Sequence, residues 1–164
     1  MNKQEYEFEY EVYESIDDLT EEDKWLLDEA REVTQHAYAP YSRFQVGAVA
    51  KLSNGEIVAG SNQENASFPA GLCAERVVLA SVSSLYPKMP IETIAISYNN
   101  NNGESNHPIS PCGICRQVIA EFFTPDAPIA SCNHLQQQQS WTLEQLLPAA
   151  FTPTYLANST KVGA

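Results

Sequence analysis

Three cysteines and one glutamate constrain this 164-residue chain more than any other feature of it. Cys73-Ala74-Glu75 lies upstream of Pro111-Cys112-Gly113-Ile114-Cys115. Cys112 and Cys115 stand at the mouth of a segment with helical patterning. Positions i and i+3 share a helix face, so both sulfurs can reach one ion. Cys73 opens a second helical segment. A fold that gathers the three sulfurs must aim two helix N-termini at one point, where the helix dipoles favour thiolates. Three protein ligands leave the fourth tetrahedral position on zinc for a water, and a glutamate two residues from a ligand can move that water's protons. A purely structural site closes the fourth position with another side chain.

Three thiolates on zinc leave a net charge of about −1, which makes a bound water less acidic than neutral ligands do. Arg76 and Arg116 directly follow the ligand segments and are candidate donors to the sulfurs, offsetting that charge. Other readings exist. An isolated Cys-x-x-Cys also fits a zinc knuckle or a redox pair. Cys132, in Ile129-Ala130-Ser131-Cys132, either completes a four-cysteine site or is a small core residue. Glu75 also fits an ordinary acidic residue in a helix's first turn. His36, His107 and His134 lie outside these motifs and read as surface or loop histidines.

The length suits one domain, residues 1–164, with a real hydrophobic core. Nine Lys and Arg against 21 Asp and Glu give a formal net charge of −12, with no basic run. A polynucleotide partner needs a basic surface, so a small neutral molecule is the expected ligand. No apolar run reaches the length of about 18 residues that spans a membrane. Residues 1–14 are acidic and lack the apolar stretch of a secretory signal. With four cysteines and no such signal, the expectation is a reducing cytoplasm, with thiols free or on metal.

The patterning predicts an α/β chain. Tyr6, Phe8, Tyr10 and Val12 alternate with glutamates, which predicts an N-terminal strand over 6–13 whose apolar face docks on a sheet edge or a subunit boundary. Thr20 is a candidate N-cap; Leu26, Leu27, Ala30, Val33 and Ala37 then recur at helical spacing until Pro40. Two β-rich runs, 45–52 and 56–61, flank Ser53-Asn54-Gly55, a hairpin turn signal. A helix from Cys73 to Leu85, a strand over 91–98, a polar and mobile loop over 99–106, a helix from 112 or 113 to Phe123, and a strand over 128–132 follow. Gln136 to Gln139 reads as a polar turn, and 143–147 as a short helix before Pro148. The last dozen residues are weakly patterned. One sheet with helices on its faces accommodates this order.

From about Ala37 to Phe151 the chain closely resembles the homotetrameric, three-cysteine class of cytidine deaminases. The resemblance rests on Ala39-Pro40-Tyr41-Ser42-Arg43-Phe44-Gln45-Val46-Gly47-Ala48, Asn62-Gln63-Glu64-Asn65-Ala66-Ser67-Phe68, Cys73-Ala74-Glu75-Arg76, Ser110-Pro111-Cys112-Gly113-Ile114-Cys115-Arg116-Gln117 and Leu146-Leu147-Pro148. It implies hydrolytic deamination of cytidine and 2′-deoxycytidine, a role in pyrimidine salvage, and a three-layer α/β/α fold around a five-stranded mixed sheet. It implies one zinc per chain on Cys73, Cys112 and Cys115, with Glu75 as proton shuttle. Asn62 and Glu64 match the pair that holds the ribose 3′-hydroxyl, which suits an amide and a carboxylate. Ala66 matches a backbone contact. Phe44 matches an aromatic beside the pyrimidine or sugar. Tyr41 matches a residue that reaches a neighbouring subunit's site, and Phe151 one that closes over an adjacent subunit's base. Sites at subunit interfaces of a tetramer follow from the resemblance.

The chain departs from that pattern in three places. The strand over 6–13 precedes the usual start. Val77-Val78-Leu79 replaces a commoner Thr-Ala pair, as in blasticidin-S deaminase, a relative that lacks the Phe44, Asn62 and Glu64 features. The tail after Phe151 diverges. Deamination of cytosine or of a nucleotide, and a zinc-stabilised binding module of the same fold, are the competing readings.

Overall fold

The computed structural model describes residues 1–122, 128–132 and 138–156. In chain order the elements are β1 (Glu11–Tyr13), α1 (Glu21–Val33), β2 (Phe44–Leu52), β3 (Ile57–Ser61), α2 (Ala74–Leu85), β4 (Ile91–Asn100), α3 (Gly113–Phe122), β5 (Pro128–Cys132), β6 (Gln138–Thr142) and α4 (Leu143–Leu146). The strands form one six-stranded sheet in the order β1-β6-β5-β4-β2-β3. β4 and β5 run parallel and the other pairs antiparallel, so the sheet is mixed.

Local sequence accounts for most of these elements. Thr20 Oγ1 accepts from the Asp23 N–H at 3.1 Å and starts α1, with Glu21, Glu22 and Asp23 at the helix's positive end. α1 ends before Ala37, where the apolar spacing suggested it runs. The Thr34 hydroxyl donates to the Arg31 carbonyl at 2.7 Å, and Thr34–His36 tighten into a 3-10 turn. Gly55, at φ 84°, supplies the left-handed residue of the β2–β3 hairpin. Thr142 caps α4 and exchanges hydrogen bonds with Gln145.

Strand alternation divides the core between two faces. Val49 and Ala95 pack with Leu26, Leu27 and Ala30 of α1 on one face. Ala48, Ala50, Ile94, Ile96 and Ile129 pack with Val78, Leu79 and Val82 of α2 and Ile119 of α3 on the other. The result is the three-layer α/β/α arrangement. α1 approaches β2 so closely that a Cβ on Gly47 would lie 2.0 Å from the Ala30 carbonyl oxygen.

Three expectations change. The sheet has six strands rather than five, because β1 pairs with β6 and adds an edge. Gln138 and Gln139 belong to β6 rather than to a turn, since a strand that pairs on both sides is set by its backbone partners and not by apolar alternation. The asparagine-rich stretch is not a free loop. β4 runs on to Asn100, and Asn100 N–H donates to Ser105 Oγ at 3.0 Å. Phe123 and His134 lie outside the described residues, as do residues 157–164. Among the described residues no helix is long and apolar enough to cross a membrane.

Topology fixes where chemistry can occur. β3 and β4 are both antiparallel to β2, so both leave the sheet at the same end, where β2 begins. β3 leads into α2 and β4 into α3. The N-termini of both helices and the turn before Phe44 are therefore brought to one edge of the sheet.

Candidate active site

Cys73 is the N-cap of α2, Cys112 precedes α3, and Cys115 lies in the first turn of α3. The Sγ of Cys112 is 3.8 Å from that of Cys73 and 3.5 Å from that of Cys115, and all three sulfurs lie within 4.8 Å of one another. A tetrahedral zinc with Zn–S bonds of about 2.3 Å requires sulfurs about 3.8 Å apart, so the cluster fits that ion. Among the described residues it is the one cluster of three such ligands, and no fourth donor of this kind joins it there. A hydrogen bond from the Cys115 thiol lowers the Cys73 thiol to about 6, and the same contact with burial raises Cys115.

Glu75 sits in the first turn of α2, is 5% exposed, and lines the cavity with Cys73 and Cys112. Burial pushes its carboxyl above the usual carboxylate range, opposed by its own N–H and the Cys115 thiol. A carboxyl raised in this way is better suited to give as well as take a proton.

The hydrogen bonds of the two arginines go to oxygens. Arg76 Nη1 donates to the Gly71 carbonyl at 3.3 Å. Arg116 donates to the Pro111 and Leu146 carbonyls and to Ser110 Oγ, at 2.8, 2.9 and 2.8 Å. They fix the backbone flanking the ligands, and Arg76 lowers the Cys73 thiol through space.

A cavity of about 710 Å³ opens above the cluster. Tyr41, Ser42, Phe44 and Val46 form one wall; Asn62, Glu64, Asn65 and Phe68 form another. Phe44 stacks on Tyr98, ring centroids 5.0 Å apart, and Tyr41 meets Phe68 edge-on at 5.9 Å. The charged groups among the described lining residues are two carboxylates, Glu64 and Glu75.

Asn62 and Glu64 also shape the wall themselves. Asn62 Oδ1 accepts from the Val46 N–H at 2.8 Å and its Nδ2 donates to the Phe44 carbonyl at 2.9 Å, clamping the start of β2. The Glu64 carboxylate accepts from the Tyr41 N–H at 2.8 Å and the Ser42 N–H at 3.3 Å. Hydrogen bonding from Ser42, then from Tyr41, holds it below the usual carboxylate range. Each keeps hydrogen-bonding capacity for a ligand: one amide proton on Asn62 and further lone pairs on Glu64.

Of the expected substrate contacts, Ala66 and Phe151, the latter expected at an adjacent subunit's site, do not line this cavity. Ala66 is exposed between Asn65 and Phe68, which do. Phe151 is 59% exposed and stacks on Tyr155 at 5.8 Å, its carbonyl accepting from Gln117 Nε2. His107, expected in a loop, accepts the Tyr98 hydroxyl on its carbonyl at 2.7 Å. Ser42, Phe68, Ile109 and Ser110 line the cavity although the motif reading gave them no role. Ser42, Phe68 and Ser110 lie inside the motif segments, whereas nothing local marks Ile109.

The sequence profile of the family described as "Cytidine and deoxycytidylate deaminase zinc-binding region" matches residues 20–131. The cytidine deaminase of Halalkalibacterium halodurans is 39% identical over 127 residues, covering 77% of this chain and 92% of that protein. The cytidine deaminase of Sporosarcina psychrophila is 35% identical, covering 77% and 89%. The crystal structure of cytidine deaminase from Burkholderia pseudomallei superposes with a TM-score of 0.72 at 35% identity, over 81% of this chain and all of that one. That of the Mycobacterium tuberculosis cytidine deaminase gives 0.63 at 32% identity, over 77% and 94%. With the three-cysteine cluster, the buried glutamate and the fold in agreement, the chain belongs to the zinc-binding cytidine and deoxycytidylate deaminase family.

Proposed function

We propose that this protein hydrolytically deaminates cytidine and 2′-deoxycytidine to uridine and 2′-deoxyuridine, releasing ammonia. The observation that carries the reading is Glu75, buried at the foot of the cavity beside three cysteines spaced for zinc. Cys73, Cys112 and Cys115 would hold a zinc ion, which would supply Lewis acidity for activating water. Glu75 takes a proton from the attacking water and gives it to ring N3. It then takes the second proton and passes it to the amine as ammonia leaves from C4.

Asn62 and Glu64 offer the ribose 3′-hydroxyl a donor and an acceptor, Phe44 and Tyr41 flank the base and sugar, and the backbone at Ala66 adds a contact. A nucleoside suits the cavity better than a nucleotide, because the charged groups among its described lining are carboxylates, which repel a phosphate. The exposure of Phe151 and of Ile114, at 59% and 62%, supports a homotetramer in which a neighbour's Phe151 completes each site. The net charge of −12 argues against nucleic acid. Residues 1–164 read as one domain with the strand of 1–14 appended, acting in pyrimidine salvage in the cytoplasm.

Glu75→Gln tests the assignment. We expect the variant to keep one zinc per chain and to lose at least about 10²-fold in kcat for cytidine. Cys115→Ala should shed zinc, whereas Cys132→Ala should keep it. Near-normal turnover by Glu75→Gln, or zinc loss in folded Cys132→Ala, overturns the reading; metal analysis and absorbance assays decide.

A further inference from the structure

The cavity wall contains a turn that the rest of the chain must hold against its own preference. Arg43 lies at φ 55°, a left-handed conformation uncommon for residues other than glycine. It sits between Ser42 and Phe44, both of which face the cavity. From the cavity side, the Glu64 carboxylate accepts the Tyr41 and Ser42 N–H groups. From the opposite side, the turn is held by asparagines that follow β4. Asn102 Nδ2 donates to the Ser42 carbonyl at 2.8 Å. Asn101 N–H donates to the Arg43 carbonyl at 3.1 Å, and Asn101 Nδ2 to Gln45 Oε1 at 2.8 Å.

The asparagine segment is itself set for this task. Asn102 N–H donates to Asn100 Oδ1 at 3.1 Å. Asn100 pairs with Phe44 in the β2–β4 ladder, so the segment starts from the sheet rather than from solvent. Neither Asn101 nor Asn102 lines the cavity. The peptide groups on the two sides of Ser42 are thus pinned from two directions, by Glu64 at its N–H and by Asn102 at its carbonyl. Releasing the carbonyl leaves the peptide between Ser42 and Arg43 held by the Arg43 N–H alone, which donates to the Ala39 carbonyl at 3.0 Å, so the turn loosens about that bond and the Ser42 N–H draws off Glu64.

We propose that Asn102, supported by Asn101, is a positioning residue for nucleoside binding that locks the Tyr41–Phe44 turn in the shape the cavity requires. This rests on the nucleoside reading above. Asn102 acts through the turn and through Glu64, touching no substrate. Its loss weakens binding and leaves the chemistry at Glu75 intact.

The test compares wild type, Asn102→Ala and the nearly isosteric Asn102→Asp, each zinc-loaded and full length. Hydrogen exchange at the Tyr41, Ser42 and Phe44 amides should quicken about fivefold or more in both variants, with Val49 in the core of β2 unchanged. KM for cytidine should rise about three- to tenfold, with kcat within about twofold and zinc content unchanged. In a Glu64→Ala background the added effect of Asn102→Ala should largely vanish, because both side chains hold one turn. Unchanged exchange in the turn overturns the brace. Quickened exchange with unaltered KM overturns its role in binding. A parallel fall in kcat and in the folded fraction reduces Asn102 to a structural residue. If wild type fails to deaminate cytidine, the nucleoside reading falls, and the exchange data still decide whether Asn102 holds the turn.

Discussion

At the residue scale, Glu64 holds the cavity wall and, in the function proposed above, the ligand as well. Its carboxylate already binds two backbone N–H groups of the wall, so Glu64→Ala removes a ligand acceptor and loosens the turn together. We expect KM for cytidine to rise about ten- to hundredfold, and the preference for cytidine over 3′-deoxycytidine to shrink. An unchanged preference in steady-state kinetics would mean that Glu64 does not read the 3′-hydroxyl. The pH dependence has a definite sign. The folded carboxyl lies below its ordinary value, so its contribution is present above the unfolded value of about 4.3 and is lost only as pH falls through the lower folded one. The ratio of KM between Glu64→Ala and wild type should therefore stay constant from about pH 5 to 8. Cys73, Glu75, Cys112 and Cys115 were legible in the sequence, because ligand spacing on helices is local geometry. The bonds of Asn62 and Glu64 to β2 and to the preceding turn were not, since those partners lie 16 to 23 residues away.

At the scale of elements, the Thr20 cap, apolar residues at helical spacing and the Asn54-Gly55 turn made α1, α2, α3 and the β2–β3 hairpin readable, because their signals act within a few residues. β6 was missed because its glutamines carry no apolar alternation, and its pairing with β1 and β5 depends on strands remote in sequence. The contact of α1 with β2 at Gly47 is equally non-local. Gly47→Ala should be severely destabilising, since the new Cβ would meet the Ala30 carbonyl oxygen at 2.0 Å. Overpacking of this kind typically costs about 1–3 kcal/mol, and a backbone neighbour cannot step aside as a side chain can. Thermal melting checks this: a melting temperature equal to wild type would mean that α1 does not lie against β2.

For the whole molecule, the open question is what the acidic N-terminal strand contributes. Tyr6, Phe8 and Tyr10 form an aromatic row that continues onto buried Trp141 of β6, with Tyr10 and Trp141 centroids 6.1 Å apart. Tyr6 Oη donates to the Glu144 carbonyl at 2.9 Å, and Gln145 Nε2 donates to the Glu9 carbonyl. Of the strand expected over 6–13, Glu11–Tyr13 pair with β6 at the sheet edge and residues 6–10 lie outside any strand, while Tyr6, Phe8, Tyr10 and Val12 remain 47–52% exposed. Half-burial contributes about 1 kcal/mol for each such side chain, offset by the entropy of ordering the segment. Deleting residues 1–14 should lower the melting temperature by about 3–10 °C. Zinc content and kcat should hold, since no residue of that segment lines the cavity. Calorimetry with metal analysis tests this; an unchanged melting temperature would show that the strand adds nothing to stability.

The sequence by itself determined the three-cysteine cluster, the glutamate beside it, the helices that present them and the α/β class. Each of these follows from side-chain chemistry and from periodicities of two to four residues. Only the tertiary structure decided which loops close over the cluster, that the sheet has six strands, that Arg76 and Arg116 brace backbone, and that asparagines after β4 hold the turn at Arg43. These depend on the antiparallel pairing of β2 with both β3 and β4, which brings three distant segments to one edge of the sheet. Contacts between segments so far apart leave no periodic trace in the chain, because each is set by shape and hydrogen-bond satisfaction once the layers have packed.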